Sequence, residues 1–151
     1  MVRRIVTGHD AHGQAVFLID DSVEEEFLGA QVWSTSGLPA DNSSEPDAML
    51  RQQGIAAPNG TVIRVLTIAP GHRSPMHRTQ TLDYGVVLEG EIQLELDAGV
   101  TRTARAGDVV VQRGTMHAWE NVSGKPCRIA FILIAAEPLV AGGRPLEPTH
   151  A

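Results

Sequence analysis

The chain has one cysteine among its 151 residues, Cys127, so it can close no disulfide with itself, and thiolate zinc sites are excluded. It also lacks a long apolar run. The longest, Ile129 to Ala136, is too short to span a bilayer. The opening "MVRRIVTGHD" is basic but has no apolar segment behind it, which argues against a signal peptide. Positive charge is scarce as well. Twelve Lys and Arg against eighteen Asp and Glu give a formal net charge of -6, with no basic run interleaved with aromatics. That balance argues against a nucleic-acid role. The expectation is a reduced, cytoplasmic protein without nucleic-acid or membrane partners. No internal repeat is present. The apolar neighbourhood "CRIAFILIA" makes Cys127 a small buried filler in a strand.

What the sequence does have is the ordinary composition of a soluble globular chain, 42% hydrophobic and 20% charged, at a length that suits one domain. "RRIVTGHD" and "QAVFLIDD" flank Gly13 as an opening hairpin. "SVEEEFLGAQVWS" fits either a short helical turn or a strand ending near Trp33. The stretch 37–60 is rich in Gly, Pro, Ser, Asn and Asp and reads as a long arm with one helical turn around "PDAMLRQ". From Thr61 the pattern is dense: "TVIRVLTIA" is a strand, and Ile92, Leu94 and Leu96 alternate with Glu91, Gln93 and Glu95, the period of a half-buried strand. Turn residues recur about every ten positions through "CRIAFILIAA", which indicates an all-β sandwich or barrel. Residues 1–60 supply the opening strands and arm, 61–136 the barrel core, and 137–151 a Gly- and Pro-rich, loosely ordered tail, all within one domain.

His77 and Asp83 flank a strand start, and His117 lies about one hairpin further along. An antiparallel barrel brings such strands side by side with their side chains in the lumen. Two imidazoles and a carboxylate hold Fe(II), Mn(II), Zn(II) or Ni(II) while leaving positions open for substrate. The alternative is a pair of buried histidines hydrogen-bonded to each other or to Asp83, with the carboxylate orienting a histidine rather than touching a metal.

On these residues the sequence resembles the cupins, small double-stranded β-helix (jelly-roll) barrels. The family's first motif is G-x5-H-x-H-x3,4-E-x6-G, and here Gly71, His77, Asp83 and Gly90 take its positions, with Thr79 in place of the second histidine. The second is G-x5-P-x-G-x2-H-x3-N. Gly107, Gly114, His117 and Asn121 match it, with Gln112 at the proline position and the spacing before it one residue shorter. The resemblance covers about half the chain and implies a divalent metal on His77, Asp83 and His117. Family members with the full motif use three histidines and a glutamate, so the site here is reduced. Asp83 also reaches one methylene less far than glutamate.

Thr79 and His72 are the further residues that could contact a ligand or its water, His72 only if its polar turn folds inward. Trp119 shares strand parity with His117 and so faces the same cavity, whereas Tyr84 has the opposite parity to Asp83. Arg64 and Arg113 are the cations available to a substrate carboxylate, with Arg64 placed on the pocket wall, although a solvated surface position is the favoured reading for either one. Asn121 is expected to satisfy backbone groups at a strand end. His9, His12 and His150 are given no role. The resemblance implies a metal-dependent enzyme acting on a keto acid, hydroxy acid or phenolic, polyketide-like compound, with a lyase, decarboxylase or dehydratase favoured. An Fe(II) dioxygenase and a non-enzymatic ligand-binding barrel remain open beside it. A homodimer is expected, with the opening hairpin or the arm as the pairing device.

Overall fold

The computed structural model describes residues 1–43 and 57–149, so the helical turn read around "PDAMLRQ" lies outside the described residues. The strands are β1 (Val2–His9), β2 (Ala15–Val23), β3 (Ala30–Ser34), β4 (Thr61–Ile68), β5 (Thr81–Glu89), β6 (Glu91–Glu95), β7 (Thr101–Arg105), β8 (Val109–Arg113), β9 (Ala118–Glu120), β10 (Cys127–Ala135), β11 (Leu139–Ala141) and β12 (Arg144–Leu146). A five-stranded sheet in the order β3-β4-β10-β5-β8 faces a three-stranded sheet in the order β7-β6-β9. All pairings are antiparallel. This is the all-β cupin-type jelly roll that the strand spacing and motifs anticipated.

Alternation decides what each sheet buries. On β10, Ile129 and Leu133 turn inward to the core while Ile132 and Ile134 turn outward, because successive side chains leave opposite faces. Ile68, Val87, Ile92, Trp119, Cys127 and Ile129 close the interior between the sheets. Cys127 is fully buried in its strand, as its neighbours implied.

The chain crosses from one sheet to the other between β5 and β6 at Gly90. Its φ is +76°, and a Cβ there would stand 2.5 Å from the Pro126 carbonyl oxygen. Both facts restrict the position to glycine. Asn121, fully buried, donates through Nδ2 to the carbonyls of Ile68 and Lys125 and accepts at Oδ1 from the backbone and hydroxyl of Ser123. It ties the end of β4 to the turn before β10.

The opening hairpin β1–β2 forms around Gly13, with Asp10 accepting from the backbone N–H of His12 and Gln14. "SVEEEFLGAQVWS" resolves as a strand, β3, entered through a tight turn at Phe27 and Leu28. Residues 137–149, read from the sequence as a loosely ordered tail, carry the hairpin β11–β12. Beyond it Thr149 exchanges hydrogen bonds with Arg78. No helix among the described residues is long and apolar enough to cross a membrane.

Candidate functional site

His77 and His117 form an isolated antiparallel bridge, each backbone N–H donating to the other's carbonyl at 3.0 Å. In such a directly opposed pair both side chains leave on one face. The two imidazole centroids lie 4.2 Å apart with the rings tilted by 52°. Each ring is fixed the same way. Nδ1 of His77 lies 2.8 Å from the carbonyl oxygen of Pro75, and Nδ1 of His117 lies 2.9 Å from that of Thr115. A carbonyl only accepts, so each Nδ1 carries a proton, and in the neutral form of either ring Nε2 is the nitrogen left with a lone pair. No hydrogen bond from the described residues reaches either Nε2. His117 is 3% exposed, and burial pushes its pKa down to about 4. The Thr115 carbonyl opposes that shift, and charge on His77 adds to it.

Asp83 lies on β5, facing inward, with Leu133 on one neighbouring strand and Gln112 on the other. Thr81, two residues earlier and therefore on the same face, donates its hydroxyl to Asp83 Oδ1 at 2.5 Å. Burial raises the Asp83 pKa, while the Thr81 hydroxyl and His77 pull it back down. Desolvation wins. The Nε2 of Gln112, directly across the strand, is buried and finds no partner among the described residues.

His77, His117 and Asp83 line one cavity of about 920 Å³, at the upper end of the size that takes a small organic ligand. Trp119, Arg64, Thr79 and His72 line it too. The parity of Trp119 with His117 therefore holds, and Tyr84 points to the outer face. Arg64 is 7% exposed and bonds the Gln31 side chain at 3.1 Å, while Arg113 is on the exterior. His72 is exposed at the mouth. Trp119 meets the edge of His117 at 6.1 Å and of Phe131 at 5.4 Å, so a ladder of rings runs from the histidine pair into the barrel. Among the described residues no three His, Cys, Asp or Glu side chains are gathered closely enough to form a metal-binding group. The structure brings the two histidines together and sets Asp83 in the same cavity.

Three contributors were not singled out from the sequence. Thr81 had a signal in its two-residue spacing to Asp83. Gln112 was visible only as a departure from a motif. Phe131 looked like any apolar residue of its strand.

A family model for the cupin domain matches residues 64–134. Phomopsin biosynthesis cluster protein C' of Diaporthe leptostromiformis is 38% identical to the chain, over 93% of this chain and 82% of its own. The chain belongs to the cupin superfamily. Two further relatives are named cupin-domain-containing oxidoreductases. One, fogC of Aspergillus ruber, is 36% identical over 97% of this cupin and 78% of its own length. The other, virC of Hypocrea virens, is 37% identical over 91% and 77%. The matched residues run from Arg64 on β4 to Ile134 on β10, the segment that carries both histidines and Asp83.

Proposed function

We propose that this cupin is a metal-dependent enzyme that acts on a small oxygenated organic compound in the barrel cavity, and that its reaction is an oxidation or reduction. The observation that carries the metal reading is the shared tethering of Nδ1 in His77 and His117. It reserves Nε2 as the ligating nitrogen of two neighbouring rings in their neutral form, and orienting a metal-binding imidazole through its other nitrogen is the usual arrangement. The choice of redox chemistry over the decarboxylation or dehydration favoured by the sequence rests on the names of the relatives.

The donor set fits a borderline divalent ion such as Fe, Mn, Zn or Ni: two imidazoles, with the other positions left to water and substrate. His77 and His117 would hold it. When bound, such an ion supplies Lewis-acid polarisation of a substrate oxygen and, if it is iron, one-electron chemistry with dioxygen. The rest of the work falls to the protein. Burial keeps His117 neutral and therefore competent as a ligand. Asp83 has Oδ1 engaged by Thr81, which leaves Oδ2 to hold or pass a proton beside the substrate. Leu133, Phe131 and Trp119 exclude water from the wall.

The test is elemental analysis of the purified protein together with thermal melts in added Fe, Mn, Ni and Zn. The expected result is a bound divalent metal that His77→Ala and His117→Ala abolish and Thr79→Ala leaves in place. No bound metal and no thermal shift with any of the four would overturn the metal reading. A second reading has its own observation, the lack of a third gathered ligand among the described residues. In it the barrel binds a small molecule without chemistry, and the two Nε2 atoms accept hydrogen bonds from it.

A further inference from the structure

The C-terminal hairpin and the residues after it meet the barrel beside the histidine pair. Leu139 of β11 packs on Gly114, where a Cβ would stand 3.4 Å from the leucine Cδ2. The Thr149 hydroxyl points to the sulfur of Met116 at 3.8 Å. Gly114 and Met116 flank Thr115, whose carbonyl fixes the His117 ring. On the other side the contact is Arg78, the residue after His77. Its backbone N–H donates to the Thr149 hydroxyl and its carbonyl accepts from the Thr149 N–H, both at 2.8 Å.

Arg78 joins the two sides. Its Nε donates to the Gly114 carbonyl at 3.0 Å and its Nη1 to the Glu147 carbonyl at 3.3 Å. One guanidinium therefore spans the turn that leads into His117 and the chain that follows β12, from a backbone position next to His77. Arginine suits the task because its planar fork aims several donors at once. The hairpin has little hold of its own. Two three-residue strands are marginal in isolation, and of their residues only Leu139 and Leu146 are half-buried. Its docked position thus rests on these contacts, and Pro148 and Thr149 then form part of the cavity wall beside His77.

We infer that Arg78 is a positioning residue that couples docking of the C-terminal hairpin to the spacing of the His77 and His117 rings, so that lifting the hairpin loosens the pair. The consequence for a bound metal rests on the reading of that pair as the metal site. The coupling itself needs no metal. Its effect on metal affinity has a sign that charge alone would not give. Arg78 is a cation on the residue after His77, so by Coulomb's law its removal should strengthen binding of a divalent ion. A clamp gives the reverse.

The test is backbone amide hydrogen exchange, followed by NMR, on the full chain dialysed against chelator. The N–H groups of His77 and His117 report on the pair and that of Thr149 on the hairpin. Arg78→Gln should speed exchange at all three by about tenfold or more, the change expected when a hydrogen bond from a charged donor is lost. Amides in the middle of β10 should keep their wild-type rates. Leu146→Ser, which unseats the hairpin and leaves Arg78 in place, should speed the same three, and it carries the test if Arg78→Gln does not fold. The chelated protein is then titrated with whichever of Fe, Mn, Ni and Zn the wild type holds. Both variants should bind it more weakly, Arg78→Gln included despite the lost positive charge. A freed Thr149 N–H with wild-type exchange at His77 and His117 would overturn the inference, because Arg78 would then only anchor the hairpin. Unchanged or tighter metal binding by Arg78→Gln would overturn it as well. A wild type that binds none of the four ions would end the metal reading and leave the exchange rates to decide the coupling.

Discussion

A neutral histidine 3% exposed at pH 7 carries a pH dependence whose sign can be worked out. His117 titrates near 6.5 when unfolded and near 4 when folded. Between those values the unfolded chain takes up a proton that the folded chain refuses, so this residue's contribution to stability falls as pH drops through that window and levels off below it. Urea unfolding of the chelated protein should show this, and His117→Gln should lose that part of the slope. Thr81 makes a second case. Replacing it with Val keeps its shape and removes the donor to Asp83 Oδ1, leaving a buried carboxyl oxygen without its partner. The expected loss is about 1–3 kcal/mol in urea unfolding with an unchanged m-value. The sequence alone marks His77, Asp83 and His117 as a group, since each falls at a position of the cupin motifs it resembles. It could not show that Nδ1 of both rings is occupied, because the partners are backbone carbonyls, and any residue at positions 75 and 115 supplies one.

At the scale of elements, the corner between β5 and β6 and the turn before β3 do the positioning. Gly90→Ala would place a methyl against the Pro126 carbonyl in a backbone conformation that resists it. Thermal melting should show a loss of about 2 kcal/mol or more, or a failure to accumulate folded protein. Gly13→Ala is the comparison, because its φ is also positive and no atom lies within 4 Å of the added Cβ. It should lose about 1 kcal/mol, from backbone strain alone. The strands themselves were legible from alternation, above all β6 and β10, where one face is apolar over several residues. The turn at Phe27 and Leu28 was not. Its tip residues carry no turn signal, and the turn is held by Glu25 and Thr67, 42 positions apart. The tail shows the converse: Gly142 and Gly143 suggest a loosely ordered segment in the sequence, and the structure makes them the tip of the β11–β12 hairpin.

At the scale of the whole molecule, the opening hairpin stands out from the barrel. Arg4 anchors its base, buried at 4% and paired through two hydrogen bonds with Asp21, but Phe17, Ile5 and Leu18 are 76%, 52% and 48% exposed. A two-stranded hairpin with bare apolar side chains is marginal by itself. We expect a second copy of the chain to cover it. Size-exclusion chromatography with light scattering should give a dimer, and Phe17→Glu should shift the protein to monomer with its circular dichroism unchanged. A monomeric wild type would refute this.

The sequence by itself determined the fold class, the register of the apolar strand faces and the positions of the two histidines and the aspartate. These follow from short-range patterns: a two-residue period, glycines at corners, and fixed spacings within motifs. Tertiary structure alone decided which of those residues meet, because His77 and His117 are forty positions apart and are brought together by backbone pairing of 71–77 with 117–121, segments that no local signal pairs. It alone turned Arg64 into the barrel and set Phe27 over its mouth. Burial, and the chemistry that burial imposes on a charge or an imidazole, is a property of neighbours distant along the chain.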